Sequence, residues 1–515
     1  MALTAIHRRE FFKRTIVVAG VMMIPEISGR TAFGADGTQS RKPNIIFVFS
    51  DDHSLQTIGA YGWRLSEFCK KHGVTPNIDR LAEQGGLFTH SFCCNSLCSP
   101  SRAAILTGLH SHANGVAVLD RPIKPGLWTF QTALRQAGYA TAVVGKWHLA
   151  TTMPDMDYWR ILPGQGAYEN PVFIGPEGRE KIEGYASDVI TDLALGWLEK
   201  RDPKKPFFLG VHHKAPHRNW IPPKRYATWL DDVEIPEPDT LFDDYANRSS
   251  PIRNQAMMID KDMTLDSDLK TDPTGKSAAD VRYSARNADF AKIKPQGKDL
   301  VRWKYQQYMK DYLRCIKSVD DSMGRVMDAV KAAGLEDNTV VIYSSDQGFY
   351  NGEHGWFDKR WILEESLNMP LILRWPGVVK PGTRIGDFVQ NIDYAPTFAE
   401  IAGGPIPDGL HGRSFVPILR GRTPSDWRKS VYYQYYDPDH GVAPHYGIRT
   451  HRYTLAHYPR TDEWDLYDLE KDPRQMRSVT SDPAYTQTLA ELKKELQQLQ
   501  ETYQSNPQEL MKTKL

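Results

Sequence analysis

Short, wholly apolar runs alternate along the chain with longer segments of helical periodicity. Residues 45–49 form an unbroken apolar run that ends in Ser50-Asp51-Asp52. Residues 339–343 repeat the form and end in Ser344-Ser345-Asp346-Gln347-Gly348. Runs at 140–144, 207–211 and 371–373 are of the same kind. Continuous apolar runs of this length read as strands buried on both faces. Between them, 129–137, 186–200 and 304–333 carry helical patterns. Strands alternating with helices predict an α/β domain with a largely parallel sheet. Ligands of such sheets bind beyond the carboxyl ends of the strands, which is where the two acidic groups stand.

The pattern changes on either side of this domain. Residues 232–300 are polar and irregular and read as a long insertion over the surface. Past Gly421, 431–436, 446–450 and 453–457 read as short antiparallel strands, followed by a polar helix over 485–503. The expected division is therefore a large domain over 41–425 and a small C-terminal α+β subdomain over 426–515, a reasonable partition of 515 residues. At the N-terminus, His7-Arg8-Arg9-Glu10-Phe11-Phe12-Lys13 precedes an apolar run over 16–24 that is too short to span a bilayer. The segment resembles a twin-arginine export signal, with cleavage expected among the small residues near 32–35. It predicts a periplasmic or extracellular protein with no stable membrane span.

Composition changes the picture only by exclusion. A net charge of +1 argues against a nucleic-acid partner. Five cysteines, at 69, 93, 94, 98 and 315, do not form a disulfide framework. Cys93, Cys94 and Cys98 raise the idea of a structural zinc site, but no second ligand pair follows at zinc spacing.

The remaining candidates carry chemistry. Asp51, Asp52, Asp346 and Gln347 offer only oxygen donors, which suits calcium or magnesium better than zinc. Either pair alone reads as an ordinary strand end. Cys98-Ser99-Pro100-Ser101-Arg102 opens a helical pattern in which Ser99 suits the N-cap and Pro100 the first turn. Cys98 would then precede a helix N-terminus that favours an anion, with Arg102 one turn in. Gly145-Lys146-Trp147-His148 ends another strand; if that strand runs through Lys146, Lys146 and His148 share a side. His213-Lys214-Ala215-Pro216-His217 follows a fourth strand, and Lys359 lies beyond the second acidic strand end.

Taken in order, these motifs resemble the formylglycine-dependent sulfatases. Cys98-x-Pro100-x-Arg102 looks like their first signature and Gly145-Lys146-Trp147-His148 their second. Asp51, Asp52, Asp346 and Gln347 match the metal ligands, with Gln347 where many members have Asn. His217 and Lys359 match a later histidine and lysine. The likeness runs from about Asn44 to Pro473 and implies an alkaline-phosphatase-like fold. It also implies one calcium ion near Cys98 and conversion of Cys98 to formylglycine by a maturation enzyme. The resemblance assigns sulfate binding to Arg102, Lys146 and Lys359, proton donation to His217 and proton removal to His148. Lys214 is expected near the sulfate. The motif texture is most similar to bacterial glycan sulfatases, including N-acetylglucosamine-6-sulfatases, so the expected partner is a sulfated carbohydrate. A phosphatase or phosphonate hydrolase of the same superfold, or an inactive sulfated-glycan binder, is the alternative. Contacts to the sugar are expected from Asp358 and Arg360, and from His445 and Arg449 in the 440–452 segment.

Overall fold

The computed structural model describes residues 41–272 and 280–511. Its centre is a ten-stranded sheet. Five neighbouring strands are parallel, in the order Thr339–Ser345, Asn44–Ser50, Phe207–His212, Ala140–Lys146 and Tyr158–Leu162. The flanks turn antiparallel at Leu371–Arg374 on one side and Val172–Gly175 on the other. Every residue of Asn44–Ser50, Phe207–His212 and Thr339–Ser345 is buried, which is why these strands read as unbroken apolar runs. Two hydrophobic clusters cover the sheet, one containing Phe47, Phe49 and Phe398, the other Ile46, Val48 and the inner face of the long helix Gly297–Ala332.

A second sheet has four antiparallel strands, Ser430–Tyr435, His445–Thr450, Tyr453–Tyr458 and Glu463–Asp468, one more than the hydrophobic pattern predicts. The last, Glu463-Trp464-Asp465-Leu466-Tyr467-Asp468, carries three acids, two of which, Asp465 and Asp468, are buried. Helix Thr486–Thr502 closes it through Leu492 and Leu496. The described residues from Lys42 onward form one compact unit, so the small sheet is built onto the large one. The expected export signal lies outside the described residues. Among the described residues, no helix is long and apolar enough to cross a membrane.

Three local expectations are corrected. The 232–300 segment is not a surface excursion: Ile235, Leu241, Ile252, Met257, Ile259, Met263 and Leu269 are all buried in the core clusters. Its helices Ser250–Arg253 and Ser284–Ile293 escaped notice because one is a single turn and the other is weakly amphipathic. The long helix starts at Gly297 rather than Lys304. The helix after the cysteine motif begins at Cys98 itself, with Leu97 as N-cap and no side-chain cap; Ser99 Oγ is buried without a partner.

Gly145 shows how tightly the sheet is closed around the site. Its φ of +110° is one that L side chains rarely adopt, and a Cβ there would collide with the His212 carbonyl oxygen of the adjacent strand. Gly145→Ala is therefore expected to cost about 3 kcal/mol or more, from backbone strain and overpacking together. Denaturant unfolding measures this, and a loss below about 1 kcal/mol would contradict the packing described.

Candidate active site

Parallel register brings the two acidic strand ends together. Ser50 pairs with Ser345, so Asp51-Asp52 and Asp346-Gln347 leave the sheet side by side. Carboxylate oxygens of Asp51, Asp52 and Asp346 lie within 4.8 Å of one another and all three residues are fully buried. The Asp52 N–H donates to Asp346 Oδ1 at 3.1 Å. Burial raises the Asp52 carboxyl to about 6; Lys359 opposes the shift and Asp346 adds to it. Gln347 Nε2 donates to Asp52 Oδ1, while Gln347 Oε1 is buried with no partner. Three dry carboxylates gathered at one point, with the unpaired oxygen of the amide that bonds Asp52, are oxygen donors of the kind a hard divalent cation takes.

Cys98 stands beside this cluster on the first turn of its helix. Its thiol donates to Asp51 Oδ1 at 3.3 Å and accepts from Gln347 Nε2 at 3.7 Å. Sγ, an Asp51 oxygen and a His217 nitrogen also lie within 4.8 Å of one another. Burial pushes the thiol up to about 12, against the pull of Lys359, so unmodified Cys98 is a poor nucleophile. Among the described residues, no potential metal-ligand group includes Cys93 or Cys94, and the zinc reading is dropped.

Basic side chains surround the acids. Lys359 Nζ donates to Asp52 Oδ2 at 2.6 Å and lies 3.5 Å from Asp358 Oδ1. Burial works against the Lys359 charge, but Asp52 and Cys98 hold its pKa above the usual lysine range. Lys146 Nζ bonds Asp51 Oδ2 and Gln165 Oε1. Arg102 is buried, donating from Nε to Asp346 Oδ2 at 3.1 Å and from Nη1 to the Lys146 carbonyl at 2.7 Å; its Nη2 has no hydrogen-bond partner. Lys214 lies over the Tyr168 ring at 4.8 Å, its pKa lowered to about 8 by burial.

Two histidines complete the ring. His217 Nδ1 donates to the Arg218 carbonyl, which leaves Nε2 facing Asp52 Oδ2 at 3.7 Å. The strand stops at Lys146, so His148 reaches the site through a left-handed residue, φ +58°, rather than by strand alternation. His148 is buried, Nδ1 has no partner, and burial together with Lys146 drives its pKa down to about 2. Asp52, Asp358 and Arg360 are also non-glycine residues at positive φ, so backbone strain gathers here.

A cleft of about 190 Å³ opens over Cys98. Asp358, Arg360, His217 and Lys359 line it, and Asp358 and Arg360 pair at 2.6 Å. Sequence reasoning missed Gln165, Arg218, Leu119 and His440 on its walls. His440 is the first residue of the segment singled out for sugar contacts, and Arg218 follows His217 directly; nothing local marked Gln165 or Leu119.

The expectation for His445 and Arg449 fails on geometry. His445 is fully buried among the rings of Trp361, Tyr433, Tyr435 and Tyr458. Its Nε2 accepts from the Ile362 N–H and its Nδ1 donates to the Ala443 carbonyl, which leaves no nitrogen for a ligand. Arg449 forms two bonds with Glu364, at 2.5 and 3.2 Å, with its guanidinium over Phe92 and Phe388. Both tie the small sheet to the segment after Lys359.

The profile of the sulfatase family matches residues 43–404. The chain belongs to the sulfatase family. It is accordingly a sulfuric ester hydrolase. A second profile, N-sulphoglucosamine sulphohydrolase, C-terminal, matches residues 352–502 of the sulfatase. The sulfatase is 42% identical over 498 residues to the N-acetylglucosamine-6-O-sulfatase of Bacteroides thetaiotaomicron, spanning 91% of this chain and 88% of that one. A solved structure in complex with its substrate D-glucosamine-2-N,6-O-disulfate superposes with a TM-score of 0.86 at 41% identity, covering 90% of this chain and 99% of that one. The phosphonate monoester hydrolase of Agrobacterium radiobacter, 21% identical with a TM-score of 0.67 over 90% of this chain and 96% of that one, shares the fold. The large sheet with its antiparallel C-terminal companion is thus the alkaline-phosphatase-like α/β architecture.

The Arg449–Glu364 pair yields a test of its structural role. Arg449→Ala leaves Glu364 buried beside an apolar wall and is expected to cost about 3–5 kcal/mol of stability. Denaturant unfolding reads the cost, and sulfate release per folded molecule should be unchanged. A stable variant with lost activity would return Arg449 to the substrate.

Proposed function

We propose that this sulfatase removes sulfate esters from carbohydrates, with 6-O-sulfated N-acetylglucosamine and related glucosamine sulfates as its substrates. The observation that carries the reading is the convergence of Cys98 and Lys359, which line one small cleft, with the buried acid cluster and the cations Lys146 and Arg102 that pair with it. The substrate class rests on the glucosamine sulfatases to which the chain is more than 40% identical.

We assign calcium to Asp51, Asp52, Asp346 and Gln347, where it would polarise the sulfate oxygens. A maturation enzyme would convert Cys98 to formylglycine, which supplies the nucleophile that an inert thiol cannot. The protein's own residues do the rest. Arg102 Nη2, the Lys146 and Lys359 ammonium groups and Lys214 offer donors to sulfate oxygens, and in a dry site such donors stabilise charge that grows in the transition state. His217 Nε2 protonates the leaving sugar oxygen. That role needs the imidazolium, which burial and the nearby lysines disfavour and which the negative charge of a bound sulfate ester would favour. His148, kept neutral by the same burial and cations, has an unpaired Nδ1 to take a proton when sulfate is expelled. Asp358 and Arg360, at the rim, would meet sugar hydroxyls. Export rests on Arg8 and Arg9: Arg8→Lys with Arg9→Lys should retain the protein in the cytoplasm on fractionation, and unchanged export would refute it.

Purified protein carrying the aldehyde at Cys98, identified by mass spectrometry, should release sulfate from N-acetylglucosamine-6-sulfate. Cys98→Ala should abolish release without lowering Tm. Chelation should lower both activity and Tm, and calcium should restore them. Release by a protein with unmodified Cys98, or indifference to chelation, would contradict the assignment.

A further inference from the structure

Lys146 is fully buried, yet its ammonium meets two oxygens rather than one. Asp51 Oδ2 takes one N–H bond, and Gln165 Oε1 takes another at 2.5 Å. Register explains the second partner. Lys146 pairs with Leu162 on the adjacent parallel strand, and Gln165 stands three residues beyond Leu162. The chain turns there, with the Gly166 N–H donating to the Pro163 carbonyl at 2.9 Å. Gly164 and Gly166 both have positive φ, and a Cβ on Gly166 would press on the Leu162 side chain. The turn therefore presents Gln165 from a fixed backbone.

The orientation of the Gln165 amide follows from chemistry. An ammonium has three donors and no acceptor, so the amide oxygen must face Lys146. Nε2 then points away from Lys146. Gln165 is half-buried, lines the cleft with Cys98, His217 and Lys359, and shows no bond from Nε2 among the described residues. A polar group left this way on the wall of an anion site is a donor awaiting an acceptor. On the sulfatase reading above, we propose that Gln165 contacts the substrate: its carboxamide oxygen fixes Lys146 while its N–H bonds donate to an oxygen of the bound sulfate ester.

The test separates the two ends of the side chain. Gln165→Glu keeps an acceptor for Lys146 but removes both N–H donors and sets a negative charge beside the sulfate. Gln165→Leu removes both ends. Each should lower kcat/KM for N-acetylglucosamine-6-sulfate by roughly 10–100-fold, the loss of a hydrogen bond to a charged group. Each should also weaken the thermal stabilisation given by inorganic sulfate, with Tm of the free protein unchanged in Gln165→Glu, which keeps an acceptor for Lys146. Wild-type kinetics in Gln165→Glu would overturn the proposal and leave Gln165 as an anchor for Lys146 alone. A fall in Tm with unchanged sulfate stabilisation would reduce it to a structural residue. Should Gln165→Leu fail to fold, the near-isosteric Gln165→Glu carries the test. The sulfate measurement needs no turnover, so it stands even if the wild type rejects the sugar and the substrate assignment falls.

Discussion

The structure depends on holding three carboxylates in a place without water. Asp51, Asp52 and Asp346 are fully buried within a few ångströms of one another, and like charges at that distance repel strongly in a low-dielectric site. Lys359 pairs with Asp52, Lys146 with Asp51, and Arg102 with Asp346 and Asp51. The strands are indispensable to this arrangement. Any register other than Ser50 opposite Ser345 would separate the acids, and at position 145 only a glycine lets the Lys146 strand close against its neighbour. The sheet does not merely carry the site. It supplies the rigidity that keeps the acids together against their repulsion.

Much of this was legible because burial leaves a plain mark in sequence. Strands covered on both faces must be apolar throughout, so their ends stand out, and in a parallel sheet those ends lie at one edge. The order of the cysteine, lysine, histidine and acid motifs then pointed to one chemistry. What failed to read were cases where one residue type serves two purposes. His445 and Arg449 look like ligand contacts because both are polar and lie between short strands. Their bonding is satisfied internally, by Ile362 and Ala443 in one case and by Glu364 in the other. Buried polar groups must be paired, and sequence does not say with what. The helix cap failed for a similar reason. Ser99 suits an N-cap locally, but the helix starts two residues early and puts Cys98 in its first turn. Gln165 escaped because its role comes from strand pairing alone.

The cleft divides its work by burial. The layer beneath it is dry, charged and strained, with Asp52 and His148 at positive φ, each a conformation costing roughly 1–3 kcal/mol. Such geometry survives only where packing and ion pairs over-determine it, and its reward is a set of donors that need not reorganise when charge develops. Its rim is assembled from distant segments, with Leu119, Gln165, Arg218 and His440 contributed separately.

That division sets where a substitution can be tolerated. A group in the buried layer cannot change without leaving a buried charge unpaired, and a lost partner there costs several kcal/mol. A group on the rim, such as His440, pairs at 3.2 Å with Asp437 while remaining about one-third exposed, so water can replace what a substitution removes. Selection for a new sugar can therefore act on the rim with little effect on the chemistry beneath. The small C-terminal sheet fits this logic. Its buried contacts, through His445 and Arg449, hold it to the segment that bears Lys359, while the connection between its first two strands brings His440 to the cleft. Its interior fixes the position of the rim, and its loop supplies the part of the rim that is free to vary.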